Sequence, residues 1–287
     1  MTHVWHLAHD RQLTLDRARL MAIVNATPDS FSDGGEHLEP AAAIDYAKQC
    51  LADGAAIIDV GGESTRPGSQ RIDASEQTRR TLPIIETLAR DRDALISIDT
   101  TRAAVARAAI AAGAHIINDV SAGAEDSGIF PLAAESGAGL ILMHRLRPPD
   151  ADSYSDQYAA PPSYGDVLAE VKAWLLDRAA AAMSAGVSRE QIVLDPGLGF
   201  GKTVEQNFEI ISRVSEWRET GFPILCAASR KSFVGRATGV VEPAARVAGS
   251  VAIAVQQFLG GVRLFRVHDV RAHREALATV EQIGGRA

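Results

Sequence analysis

Three groups of side chains in this 287-residue chain are suited to chemistry. The first is acidic and amide: Asp99, Asn118 and Asp195 each close or nearly close a short apolar run (LISID, IIND, IVLD). Carboxylates and carboxamides gathered at one place suit a ligand with adjacent N–H donors and ring acceptors, such as a fused nitrogen heterocycle. Phe200, in DPGLGFGK, would supply an aromatic wall. Metal-ligand carboxylates are the alternative, with His144 the one histidine placed to join them and a rim or core role competing for it. The second group is cationic: Ser229-Arg230-Lys231-Ser232, with Arg266 and His268 two residues apart and therefore on one face of a strand. A cation inside a protein needs an answering anion, either a bound phosphate or a structural partner such as Asp269. The third group is two loops, TPDSFSDGG and GGESTRPGS, whose Gly34-Gly35 and Gly61-Gly62 would let backbone N–H groups converge on an anion. Each loop read alone is equally a solvated turn.

The positions of these residues imply the elements that hold them. Eight short apolar runs end, or nearly end, on a polar residue: MAIVN, AIIDVGG, LISID, IIND, LILMH, IVLD, PILCAAS and LFRVHD. Such runs read as fully buried parallel strands. Stretches with helical spacing follow them, and Ala-rich examples end at Gly54, Gly113 and Gly186, where C-capping favours glycine. Strand–helix alternation repeated eight times predicts an α/β fold, a single (β/α)8 TIM barrel whose site lies at the strands' C-terminal ends. Residues 1–19 alternate apolar and polar around Asp10-Arg11, predicting a hairpin that closes the lower end, with the catalytic domain spanning 20–287. The long loops Thr27–Pro40, Gly61–Asp73 and Arg145–Ser163 are expected to be lid and binding elements.

A net charge of −7 excludes a general affinity for nucleic acid, which needs a basic face. The 46% apolar content suffices for a large core. Cys50 and Cys226 lack CxxC pairing and read as reduced core residues of a cytoplasmic protein. No signal peptide or membrane span is expected. GLGFGKT imitates a phosphate loop, but Pro196 occupies the position of the first glycine that motif requires. Asn25-Ala26-Thr27 fits a glycosylation site only formally, and His3, His6 and His9 read as exposed histidines rather than a metal tract.

Six motifs in order, MAIVNATPDSFSDGG, IIDVGGESTRPG, HIINDV, LDPGLGFGK, SRKSFVG and RVHDV, resemble the dihydropteroate synthase family across the whole chain beyond the N-terminal hairpin. That resemblance implies condensation of p-aminobenzoate with 6-hydroxymethyl-7,8-dihydropterin pyrophosphate, by an SN1-like substitution. It implies that Asp99, Asn118 and Asp195 hydrogen-bond the pterin, that Lys231 reaches its acceptor side, and that Val120, Met143 and Phe200 pack around it. Asn25 would hold a Mg²⁺ cofactor, and Arg66, Arg266 and His268 the pyrophosphate, with Arg266 also stacking on the pterin. Thr65, Pro67, Phe200 and Ser229 would shape the p-aminobenzoate site. Asp99, Asp195, Lys231 and Arg266 are the residues this assigns to catalysis, in a homodimer acting on small molecules without nucleic-acid or membrane partners. Two departures from the family pattern stand out: Ala227 replaces a usual glycine, and Arg145-Leu146-Arg147 opens a longer, Pro-rich loop. A methyltetrahydrofolate-binding methyltransferase would not need the SRKS and RVHDV anion site. A non-catalytic pterin-binding paralogue would typically have lost Arg66, Lys231 or Arg266, and all three are present.

Overall fold

The structure, a computed structural model, describes residues 3–26, 40–91 and 93–284. The loop from Thr27 to Glu39, with Gly34-Gly35, lies outside the described residues. Strands β1 (His3–Leu7) and β2 (Arg11–Leu15) pair antiparallel. Their turn falls one residue earlier than expected, with His9 and Asp10 both at positive φ.

The barrel strands are β3 (Arg19–Asn25), β4 (Ile57–Gly61), β5 (Leu95–Asp99), β6 (Ile116–Asp119), β7 (Gly139–Met143), β8 (Ile192–Asp195), β9 (Leu225–Cys226) and β10 (Leu264–Val267). All pair parallel in the order β8-β7-β6-β5-β4-β3-β10-β9, and a parallel bridge between Leu194 and Ile224 closes the ring beside β9. This is the eight-stranded barrel that the apolar runs predict.

Period-two alternation sorts the strand residues between two cores. One residue near the start of each barrel strand (Met21, Ile57, Leu95, Ile116, Ile141, Val193, Leu225, Leu264) points inward and packs on Trp5, Leu7, Leu13 and Leu15 of the hairpin. The hairpin therefore plugs the lower end, as expected, and Trp5 Nε1 anchors it by donating to the Gln191 carbonyl at 2.7 Å. The alternate residues, such as Ile58, Ile96, Ile117 and Leu194, face the surrounding helices in the larger core. Two or four residues above the plug, the same inward face carries Asp59, Asp99, Asn118, Asp195, Arg266 and His268. An apolar base thus leaves the polar layer only the upper end to open towards.

Two helical regions are divided. The helically spaced stretch VEQNFEIISRVSEWRETG is an α-helix over Val204–Ser212, capped by a Thr203–Gln206 box, followed by a 3-10 helix over Val214–Thr220. The segment after β9 adds a short α-helix, Ser232–Thr238, before the longer Val247–Leu259. Cys50 and Cys226 are buried and free. His9 Nε2 lies 3.2 Å from two backbone carbonyls, of Ile110 and Ala114, which fits a structural role better than a metal tract. No helix among the described residues is long and apolar enough to cross a membrane.

Candidate active site at the barrel mouth

Adjacent strand ends bring the acidic and amide residues together. Register pairs Asp99 with Asn118 across β5 and β6, Gly61 with Asp99 across β4 and β5, and Met143 with Asp195 across β7 and β8. Asp59, Asp99, Asn118 and Asp195 are all 5% exposed or less. Asp59 is the residue that sequence reasoning left without a role. Its Oδ2 accepts from Asn118 Nδ2 at 3.0 Å and from Arg266 Nε at 2.7 Å. Arg266 also donates to Asp99 Oδ2 at 2.7 Å, so one guanidinium serves two carboxylates. The second oxygens, Asp59 Oδ1 and Asp99 Oδ1, are buried without a hydrogen bond among the described residues. Burial without a partner is costly for such an atom, so both await a donor.

Charge and burial set the protonation of this floor. Burial pushes the Asp99 carboxyl up to about 7, with Arg266 opposing the rise and Asp59 adding to it. Burial likewise raises Asp195, against the Gly197 N–H that donates to its Oδ1 at 2.7 Å. Lys231 is held down to about 8 by burial and by Arg266. Its ammonium stands 4.0 Å from the centre of the Phe200 ring. Cation and ring support each other there, because the ring face is electronegative. His268 is driven down to about 3 by burial and by the cations Arg230 and Arg266. It is therefore neutral at pH 7 and adds hydrogen bonds rather than charge to the cationic group. Its Nδ1 lies 3.0 Å from Ser229 Oγ, and its backbone N–H donates to the same oxygen at 3.2 Å.

Arg230 and Arg266 have different partners. Arg230 pairs with Asp269, Nε to Oδ2 at 2.9 Å, as the structural reading of the cationic group has it. Arg266 is answered from within the barrel. Arg66 is exposed and makes no ion pair among the described residues.

A cavity of about 220 Å³ opens over this floor. Asn25, Thr65, Arg66, Pro67, Phe200, Ser229, Lys231, Arg266 and His268 all line it. Asp99 and Val120 line a small adjoining hollow with Thr65 instead, whereas Asn118, Asp195 and Met143 line neither. Val120, Met143 and Phe200 form a separate apolar cluster of their own. The expectation for Gly61-Gly62 is corrected. Neither glycine has the positive φ of an anion-cradling turn. Gly62 is needed because a Cβ would meet the Gln77 carbonyl oxygen and Thr81 Cγ2, each at 3.0 Å.

His144 is a core residue. Its Nδ1 sits 3.0 Å from Lys202 Nζ, whose other partners are the carbonyls of Gly197 at 3.0 Å and Phe200 at 2.8 Å. Burial lowers His144 to about 2 and Lys202 to about 7. Lys202, unremarked in the sequence beyond its failed phosphate-loop context, thus braces the loop that carries Phe200.

A second network joins three loops. Arg71 pairs with Glu63 at 3.1 Å and Glu125 at 2.8 Å, and Glu125 also pairs with Arg145, one of the residues that depart from the family pattern. Gly68 N–H donates to the Pro149 carbonyl at 2.9 Å. These contacts fasten the loop of Thr65, Arg66 and Pro67 to the extended segment after β7.

The pterin binding enzyme family matches residues 21–268. The dihydropteroate synthase of Synechocystis sp. is 44% identical over 257 residues, 89% of this chain and 86% of that protein. This chain belongs to the dihydropteroate synthase family. The solved Xanthomonas albilineans dihydropteroate synthase with 4-aminobenzoic acid superposes with a TM-score of 0.89 at 39% identity, covering 98% of both chains. The Yersinia pestis dihydropteroate synthase with a sulfonamide drug complex also gives 0.89, at 38% identity and covering 98% of this chain and 100% of that one. As a dihydropteroate synthase family member the chain is a transferase.

Proposed function

We propose that this chain joins p-aminobenzoate to 6-hydroxymethyl-7,8-dihydropterin pyrophosphate, releasing pyrophosphate and 7,8-dihydropteroate. The observation that carries this reading is the stacking of a buried acidic floor beneath a cavity lined with cations. A pterin diphosphate has the same polarity, ring donors at one end and an anion at the other.

Asp99, Asn118 and Asp195 accept from the pterin ring or orient it, with Asp59 holding the Asn118 amide in place. Val120, Met143 and Phe200 pack against the ring, and Lys231 donates to its acceptor side. Arg266, Arg66 and neutral His268 bind the pyrophosphate by charge and hydrogen bonds. Asn25 fits a Mg²⁺ ligand: it lines the cavity, and its side chain has no hydrogen bond among the described residues. Mg²⁺ keeps several waters and takes one or two protein oxygens plus substrate phosphate. When bound, the ion supplies neutralisation of charge on the departing pyrophosphate.

The C–O bond to pyrophosphate breaks ahead of C–N formation. Positive charge on the pterin methylene spreads into the ring, where ionised Asp99 and Asp195 favour it. The arylamine, held by Thr65, Pro67, Phe200 and Ser229, attacks the methylene and passes its proton to the leaving pyrophosphate. The enzyme works as a cytoplasmic homodimer. Ala227, on the cavity wall, adds a methyl that reduces sulfonamide affinity.

The test is turnover. Pyrophosphate and dihydropteroate should form only when Mg²⁺, the pterin substrate and p-aminobenzoate are all supplied. Pterin binding without product would make the chain a non-catalytic paralogue.

A further inference from the structure

The extended segment after β7 presents one aromatic side chain that the proposed roles leave unused. Asp152 is buried and fully engaged: Oδ1 accepts from Ser153 N–H at 2.9 Å and Tyr158 Oη at 2.7 Å, and Oδ2 from Gly201 N–H at 3.0 Å. Ser155 is also buried, and its Oγ accepts from Asn207 Nδ2 at 3.1 Å. A turn closes from Gln157 N–H to the Tyr154 carbonyl at 2.8 Å. Tyr154 therefore stands between two buried anchors on the side of the cavity that carries Phe200.

Its side chain nonetheless lines the cavity and is 37% exposed, and its hydroxyl makes no hydrogen bond among the described residues. An aromatic ring left partly in water on a pinned loop forgoes burial that a bound molecule would restore. Tyrosine suits such a boundary because its body is apolar and its tip polar.

Depth assigns the ligand portion it meets. The floor residues Asp99, Asn118 and Asp195 are nearly inaccessible, so the heterocycle lies lowest and the second substrate occupies the mouth. Thr65 and Pro67 line that mouth with Tyr154. We propose that Tyr154 is a specificity-determining residue for the arylamine. It closes the outer end of the arylamine subsite, admits a para-carboxylate that stops there, and obstructs para substituents that extend further. This inference rests on the dihydropteroate synthase reading above.

The experiment compares full-length wild type, Tyr154→Ala and Tyr154→Phe for the KM of p-aminobenzoate and the inhibition constant of sulfamethoxazole. Tyr154→Ala should lower the ratio of inhibition constant to KM about tenfold, the scale of selectivity that a small change in pocket volume produces. Tyr154→Phe, which keeps the ring, should stay near wild type. An unchanged ratio in Tyr154→Ala overturns the inference. A ratio in Tyr154→Phe that falls as far as in Tyr154→Ala overturns the steric account. Wild-type protein that forms no product would overturn the enzymatic reading itself, a separate result.

Discussion

Replacing Asp59 by asparagine removes one of two carboxylates that share the Arg266 guanidinium. Asp59 is fully buried, and its Oδ2 accepts from Arg266 at 2.7 Å and Asn118 at 3.0 Å. A hydrogen bond to a charged group contributes ~1.5–3 kcal/mol, and stripping a buried ion pair of one partner costs ~3–5 kcal/mol. Here Arg266 keeps Asp99 at 2.7 Å, so its charge is not stranded, and a carboxamide oxygen still accepts from one donor. The loss should stay near ~2 kcal/mol, which a domain of ordinary stability survives. The sharper readout is Asp99. Burial lifts its carboxyl from 3.8 to about 7, Arg266 opposes the rise, and the Asp59 charge adds to it. Without that charge the Asp99 pKa falls, because a like charge nearby disfavours the ionised form. The signs follow from proton linkage. A folded pKa above the unfolded value gives stability that is present below about 3.8 and lost as pH rises to about 7. In the variant that loss should end at lower pH. Pterin N–H donors need the ionised carboxylate, so affinity rises with pH through the Asp99 pKa, and its midpoint should move down in the variant. Calorimetric titration with the pterin substrate across this range measures the midpoint. The same midpoint in a folded Asp59→Asn protein would refute the shared-guanidinium account.

Asp195→Asn should fold and lose pterin affinity about ten- to a hundredfold, the value of a charged hydrogen bond of ~1.5–3 kcal/mol; unchanged affinity by calorimetry sinks the assignment. Arg145→Ala leaves Glu125 with Arg71 alone among its ion partners, so amide exchange at Gly68 and Ser69 should quicken, and wild-type protection there would show that the network does not hold the loop. Gly197→Ala places a Cβ against the His144 carbonyl at a φ of +67°. It should cost more than ~2 kcal/mol, read as a lower Tm, and a neutral result would mean the turn relaxes freely. Ala227→Gly should tighten sulfonamide inhibition relative to the KM of p-aminobenzoate, and a constant ratio removes Ala227 from drug discrimination.

All eight barrel strands were legible because burial on both faces forces apolar runs, which the polar mouth then ends. Even β9, only Leu225–Cys226 in the ladder, was marked by the longer run PILCAAS, whose Ile224 makes the closing bridge. Asp59 escaped a role because it lies inside its run rather than at the end. Its place two residues after inward Ile57 is the signal that would have found it. The helix Ser232–Thr238 is too short for a 3.6-residue period to register. The Glu63–Arg71–Glu125–Arg145 network had no signal at all. Arg71 lies 54 residues from Glu125, and Glu125 lies 20 from Arg145, so only the closed barrel brings them together.

The polarity of the cavity follows from the same geometry. The hairpin plug makes the lower interior apolar, so every inward polar group is confined to the top of the strands. Three carboxylates there would repel one another, and burial penalises each. One answer is the bridging of Asp59 and Asp99 by Arg266, which leaves one oxygen of each without a donor among the described residues. The other is protonation: burial raises both the Asp99 and the Asp195 carboxyls, Asp99 to about 7, so that donors from a ligand would favour their charged forms. Arg266 therefore faces two demands, the carboxylates below it and any anion in the cavity above. A ligand whose ring donates to the carboxylates takes over part of the work of Arg266 and frees its charge for the pyrophosphate. Ring and diphosphate should thus bind cooperatively through this one side chain, and the pterin diphosphate carries both in a single molecule.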